Sequence, residues 1–204
     1  MNKVVIDLEK VDTGIFTLIK DDNLSAIESL LETSPEAVNE WQMSGCATPL
    51  HAAVNNPDLA KLLLSKSADI DLINNDHDFI KPIHQAAIFC DLDFAKLLID
   101  HGADTKEHCC HGTLLHCLLL NKEHLNENFQ KFAELILSSG VKINEFVNPG
   151  HDQWTALHQA ANEGLMGAAM FLLENGADTT IAQDGLTAKL IAEVNGHNEL
   201  AEIL

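Results

Sequence analysis

The stretch Thr155–Thr180, TALHQAANEGLMGAAMFLLENGADTT, decides how the chain is read. It divides into two short segments with helical apolar spacing, a turn centred on Gly164 and a Gly-Ala-Asp stop. Taken alone, His158, Gln159, Asn162 and Glu163 look like a cluster built for chemistry. The rest of the sequence argues against that, because the stretch recurs.

Aligning on the histidine gives TPLHAAV from Thr48, KPIHQAA from Lys81, TLLHCLL from Thr113 and TALHQAA from Thr155. A degenerate copy, TAKLIAE, starts at Thr187. The anchors His51, His84, His116, His158 and Leu190 are spaced by 33, 32, 42 and 32 residues. A second apolar block follows each anchor: LAKLLLSKSAD, FAKLLIDHGAD, FAELILSSGVK, AAMFLLENGAD and LAEIL. Phe94, Leu97 and Leu98 illustrate the i, i+3, i+4 spacing of one helical face. The Gly of HGAD and NGAD suits a left-handed helix stop. Each unit therefore reads as helix, turn, helix and loop. Neither helix can bury its apolar face alone, so the units must stack.

This pattern resembles the ankyrin repeat, on the residues TPLHAA (48–53), KPIHQAA (81–87), TALHQAA (155–161), the two GAD stops and NGHNELAEIL (195–204). The resemblance covers nearly all of residues 14–204. It implies an all-α ankyrin-repeat solenoid of about six helix pairs with protruding hairpin-like loops. After an N-terminal extension, 1–13, the expected units are about 14–46, 47–80, 81–112, 113–154, 155–186 and 187–204. In this reading Thr-Pro opens the first helix, where Pro sacrifices no N–H partner. His51, His84, His116 and His158 hydrogen-bond to a neighbouring backbone or Thr. The paired Ala keep the first helix thin, and the Leu pairs of the second form a continuous core.

The departures from the pattern are local. The turn NNPDL of the first full repeat is two residues shorter than its counterpart in the next, and the loop after it is about two longer than usual. From His116 to Phe132 there are 16 residues, against 10 from His84 to Phe94. The loop NEFVNPGHDQW is about three residues long for its kind. Leu204 falls about one residue short of where the last helix should finish, so a truncated last unit or a further downstream domain is expected.

Composition narrows the function. The net charge is −19, from 31 acidic and 12 basic residues, with no Tyr; every base is Lys. Such a surface repels phosphate, which disfavours nucleic acid and anionic membrane. It favours a protein partner with a basic surface. No apolar run approaches the ~18 residues of a membrane span, and MNKVVIDLEKVDTG has only a three-residue apolar run, so no secretory leader is expected. Five cysteines then read as reduced thiols in a cytoplasmic protein.

Three chemical readings compete with the structural one. The run EHCCHGTLLHC makes His108, Cys109, Cys110 and His111 a weak metal candidate, but its cysteines are adjacent rather than spaced for zinc. Cys109 or Cys117 beside a His would suggest a nucleophile, yet no oxyanion element accompanies them. No glycine-rich phosphate loop is present. The expectation is no catalysis, no metal and no cofactor. The resemblance also makes Asn144 the position where an ankyrin protein would be hydroxylated.

Ankyrin-like arrays bind other proteins through a concave face of loop tips and first-helix residues. Here that face would comprise Trp41, Asn55, Asn56, His77, Asp78, Phe79, Ile80, Ile88, Phe89, His111, Leu120, Asn121, Asp152, Gln153, Trp154, Asn162 and Glu163. The expected role is that of a monomeric protein-interaction adaptor. The alternative is the recognition arm of a larger enzyme or bacterial effector, which would work in a host cytosol.

Overall fold

The computed structural model describes residues 14–42, 47–74, 79–120, 127–147 and 154–204. They form antiparallel helix pairs: α1 (Ile15–Lys20) with α2 (Leu24–Thr33), α4 (Pro82–Ile88) with α5 (Leu92–Asp100), α6 (Leu114–Leu119) with α7 (Glu127–Ser138), α8 (Ala156–Glu163) with α9 (Met166–Glu174), and α10 (Ala188–Val194) with α11 (Asn198–Ile203). The inner helices α4, α6, α8 and α10 pack side by side, and α2, α3 (Pro57–Ser65), α5 and α7 pack as an outer row. One buried apolar cluster runs from Ile15 to Ala201. The all-α repeat solenoid is therefore the observed architecture.

One expected helix is missing. The unit after α2 has only a 3-10 turn, His51–Ala53, before α3. The reason is the short NNPDL turn. Pro57 takes the first position of α3 and keeps Asn56 out of the helical region. Asn55 is forced to a positive φ of 60°, and no residues remain for a second helical turn. Asn56 caps α3 by accepting from the Leu59 N–H at 3.1 Å. Asn23 and Asp91 cap α2 and α5 in the same way.

The paired small residues act as the repeat reading requires. Ala86, Ala87, Ala160 and Ala161 are fully buried where inner helices meet. In α6 the same two positions are Leu118 and Leu119, also buried, so this unit presents bulkier side chains to its neighbours. Before α10 a two-strand hairpin, β1 (Ala182–Gln183) and β2 (Leu186–Thr187), turns on Asp184 and Gly185, both at positive φ. Asp-Gly is the preferred pair for such a turn.

The histidines join the units. The backbone N–H of residues 48, 81, 113 and 155 points at Nδ1 of His51, His84, His116 and His158, at 3.3, 3.1, 3.3 and 3.2 Å. An N–H can only donate, so Nδ1 accepts and each neutral ring carries its proton on Nε2. Nε2–H then donates to the carbonyls of Ile80, Glu107, Trp154 and Ile181 at 2.9 to 3.2 Å. Each ring thus ties the start of its own helix to the next loop. Burial holds all four imidazoles below the usual histidine range, His116 at about 4.

This sets a pH dependence. The unfolded chain takes up protons below the ordinary value of 6.5, whereas the folded chain resists protonation. The stabilisation is complete above that value and is lost as pH falls towards the lowered folded values. His116 alone accounts for roughly 3 kcal/mol between 6.5 and about 4. Urea titrations should show the unfolding midpoint dropping steadily over that window; a flat profile would contradict the buried neutral rings.

Two backbone positions give a matched pair of mutations. Ser67 (φ 65°) ends α3 where Gly102, Gly140 and Gly176 end α5, α7 and α9. An L-residue there costs about 1–2 kcal/mol, and glycine's extra unfolded-state freedom returns about 0.5–1. Ser67→Gly should therefore stabilise the protein by roughly 0.5–1 kcal/mol. Gly164 (φ 69°) is the opposite case, because an added Cβ would lie 2.6 Å from the His197 ring. Gly164→Ala should destabilise by roughly 2 kcal/mol or more. Equal urea midpoints for both variants and wild type would refute the two assignments.

Candidate functional site

The inner helices end on one face of the array. Phe89 closes α4 and Leu120 closes α6, both well exposed. Asn162 and Glu163 end α8, and Val194 and Asn195 occupy the same place on α10. Beside this row stand the loops that the histidines hold. A depression of about 240 Å³ opens where loop 107–112, the end of α6, Val147, Trp154 and α8 meet. It is lined by Cys110, His111, Leu120, Val147, Trp154, Gln159, Asn162 and Glu163.

Five of the residues expected on the binding face thus converge: His111, Leu120, Trp154, Asn162 and Glu163. Trp154, Asn162 and Glu163 are fixed by neighbours. The Trp154 carbonyl receives both His116 Nε2–H at 3.1 Å and the Val147 N–H at 2.8 Å. Its indole stacks on His158 with ring centres 6.5 Å apart, so one side meets the core and the other the depression. Asn162 donates to Glu163 at 2.9 Å and accepts from Asn195 Nδ2 at 3.1 Å. The Asn162 carbonyl faces His197 Nε2 at 3.2 Å.

Other expected residues lie elsewhere on the face. Phe79 is 58% exposed and holds a positive φ of 50°, an uncommon conformation for a bulky side chain. Ile80 is half-buried, and its N–H donates to Asn74 Oδ1 at 2.7 Å. Ile88 packs partly into the core, and Trp41 stays at the surface near the first unit. Asn55 and Asn56 sit at the helix–helix turn. The Asn55 N–H donates to Asp91 at 2.6 Å, and Asn56 Nδ2 donates to Asp22 at 3.0 Å, so they tie turns of neighbouring units together. His77, Asp78, Asn121, Asp152 and Gln153 fall outside the described residues.

The expected face did not include Cys110, Val147 and Gln159, which also line the depression. The signal for Gln159 was present: it lies three and four residues before Asn162 and Glu163, on the same helical face. Its Nε2 also donates to the His116 carbonyl at 3.3 Å. Val147 and Cys110 carry no such periodicity, since loops bring them in.

The metal candidate separates in space. His108 pairs with Glu145 at 3.3 Å, Cys109 meets Cys117, and Cys110 and His111 line the depression. Among the described residues no three His, Cys, Asp or Glu converge as metal ligands would. Asn144 accepts from the Asp178 N–H at 2.9 Å and donates to the Gly176 carbonyl at 3.3 Å, which stitches its unit to the next. Lys81 stands where the other units have Thr, with its ammonium buried between Asp71, at 3.3 Å, and Glu107. Burial opposes that charge, but Glu107 and Asp71 outweigh it and hold the pKa above the usual lysine range. Among the described residues no helix is long and apolar enough to cross a membrane.

Comparison with known proteins agrees with this architecture. A family model described as ankyrin repeats, in three copies, matches residues 55–147 and 122–204. Ankyrin repeat protein nuc-2 of Neurospora crassa is 28% identical over 189 residues, covering 89% of this chain and 16% of that protein. The B-cell lymphoma 3 protein homolog of Mus musculus is 34% identical over 139 residues, 64% of this chain and 29% of its own length. Putative ankyrin repeat protein L371 of Acanthamoeba polyphaga mimivirus is 39% identical over 79 residues, covering 37% of this chain and 10% of the relative. The chain spans less than a third of each of these proteins. It belongs to the ankyrin-repeat family, whose members are in general non-catalytic modules for protein–protein interaction.

Proposed function

We propose that residues 14–204 act as one unit that binds another protein through the concave face of the array. The observation that carries this reading is the row of exposed apolar side chains on a buttressed surface. Phe79, Phe89 and Leu120 are 58%, 45% and 41% exposed, and Trp154 turns one face towards the depression beside Leu120. Large apolar anchors of this kind supply most of the energy at interfaces. The carbonyls and helix starts around them are already held by histidines, so little ordering cost remains on association. Asn162 and Glu163 provide a polar rim, joined in this reading by Asp152 and Gln153.

A basic partner surface fits the net charge of −19, because long-range attraction speeds encounter and orients it. Nucleic acid is disfavoured on the same ground. The reading is of a monomeric cytoplasmic adaptor. A second reading makes the chain the recognition arm of a larger enzyme or effector, supported by relatives several times its length. In that case the full-length protein alters the captured partner chemically, while residues 14–204 alone capture it unchanged.

The test uses one pair of substitutions and a control. Phe89→Glu with Leu120→Glu should weaken capture of the partner at least about tenfold, roughly 1.4 kcal/mol. Met170→Glu, at an exposed position on α9, should leave it unchanged. Helicity should be the same in all three, and rising salt should weaken the wild-type complex. Loss of capture by Met170→Glu, with the double variant still binding, would overturn the assignment of the face.

A further inference from the structure

The loop after α5 turns on Cys109 and Gly112. Their backbones exchange two hydrogen bonds, Cys109 N–H to Gly112 O at 3.1 Å and Gly112 N–H to Cys109 O at 3.0 Å. The turn sends the Cys109 side chain inwards, where it is 3% exposed. Cys117 of α6 is fully buried at 0% and brings its sulfur to 3.3 Å from that of Cys109. Both are free thiols.

The repeat does not require this pair. The residue after the motif histidine is Gln85 in α4 and Gln159 in α8, and only in α6 is it a cysteine that meets a second one from the loop. Nor does packing require a thiol at position 109, since another small apolar side chain would fill the same buried place.

We propose that Cys109 and Cys117 form a two-electron redox site that hydrogen peroxide converts into an intramolecular disulfide. The Cys109 thiolate attacks one peroxide oxygen. The O–O bond breaks, Cys109 becomes a sulfenic acid, and the departing oxygen leaves as water after taking up a proton. Cys117 then attacks the oxidised sulfur, the S–S bond forms, and the sulfenic oxygen leaves as a second water with the Cys117 proton. Two thiols lose two electrons in total, and the peroxide is reduced to two waters. A thiol reductant reverses the bond.

The surroundings suit this division of roles. A hydrogen bond from Cys117, helped by backbone N–H groups of the turn, draws Cys109 below the usual thiol range despite its burial. The same contact, with burial, pushes Cys117 well above that range. One sulfur is poised as nucleophile and the other holds the proton it later gives up. A small oxidant fits because the adjacent Cys110 and His111 line the open depression, and local opening of a turn closed by two backbone bonds uncovers Cys109.

The bond has a mechanical consequence. Sulfurs now 3.3 Å apart must close to about 2.05 Å. Helix α6 is packed between α4 and α8, so the turn makes most of the movement. It carries Cys110 and His111 with it, and so shifts one wall of the depression. An effect on partner binding rests on the proposed function; the chemistry of the pair does not.

The reduced full chain is treated with excess hydrogen peroxide near neutral pH and followed by intact mass and non-reducing peptide mapping. The expected result is a loss of about 2 Da, with two of the five thiols lost and the link mapped to Cys109–Cys117. Dithiothreitol restores the starting mass. Cys110→Ala behaves as wild type, whereas Cys117→Ala gives no link and leaves a sulfenic acid trapped by dimedone. A link mapped to any other pair, the same mass loss in Cys117→Ala, or over-oxidation of Cys109 without a link overturns the proposal. The wild-type map decides the question by itself if Cys117→Ala fails to fold.

Discussion

A neutral imidazole buried between a helix start and the next loop's carbonyl is the joint on which this array depends. Each ring satisfies two backbone groups that would otherwise be stranded among apolar side chains, and such orphaned groups cost about 1–3 kcal/mol each. Because the two groups belong to different segments, satisfying them also fixes the angle between helix pair and loop. The carbonyls so held, of Ile80, Glu107, Trp154 and Ile181, lie at the roots of the loops beside the exposed ends of the inner helices. Scaffold and site are therefore one construction: the bond that closes the core also places the surface.

The same dependence explains what the sequence could disclose. Every motif histidine is constrained by the bond it makes, so the recurrence at spacings of 33, 32 and 42 residues survives in plain view, and the helix pairs follow from it. The glycines ending α5 and α9 were legible for a similar reason, since a left-handed residue narrows the choice of side chain; Gly140, which ends α7 in the same way, lacks the Gly-Ala-Asp signature. Ser67 breaks that rule and could only be found at φ 65° in the structure. The missing helix between Leu50 and Pro57 was half legible. The shortened turn was visible, but its collapse to 3-10 geometry depended on Pro57 and Asn56 acting together.

What stayed hidden depends on contacts between segments with no common period. The closeness of Gly164 to His197 joins two units through a turn and a helix start. Val147 reaches the depression from a loop, and Cys109 meets Cys117 only because the Gly112 turn folds back over α6. Hydrophobic periodicity reports which face of a helix is buried; it carries no information about which loop residue lies opposite. The candidate site was therefore legible on helix ends, at Phe89, Leu120, Asn162 and Glu163, and next to a motif, at His111 and Trp154, and opaque where Val147 and Cys110 complete it from loops.

Apart from the missing helix before Pro57, several unusual features of this chain lie together between residues 107 and 163. This stretch holds the 42-residue spacing, the leucines in place of paired alanines, the thiol pair and the depression itself. These are not independent. Leu118 and Leu119 put more bulk between α6 and its neighbours than Ala does. Cys117 directly precedes them on α6 and meets Cys109, which the preceding loop brings in. An array of identical units would present identical grooves along its face. Here one unit departs from the repeat in its inner helix, and the groove opens against that helix. A unit that departs from the repeat in this way lets the surface differ there, which is what selective recognition on a repetitive scaffold requires.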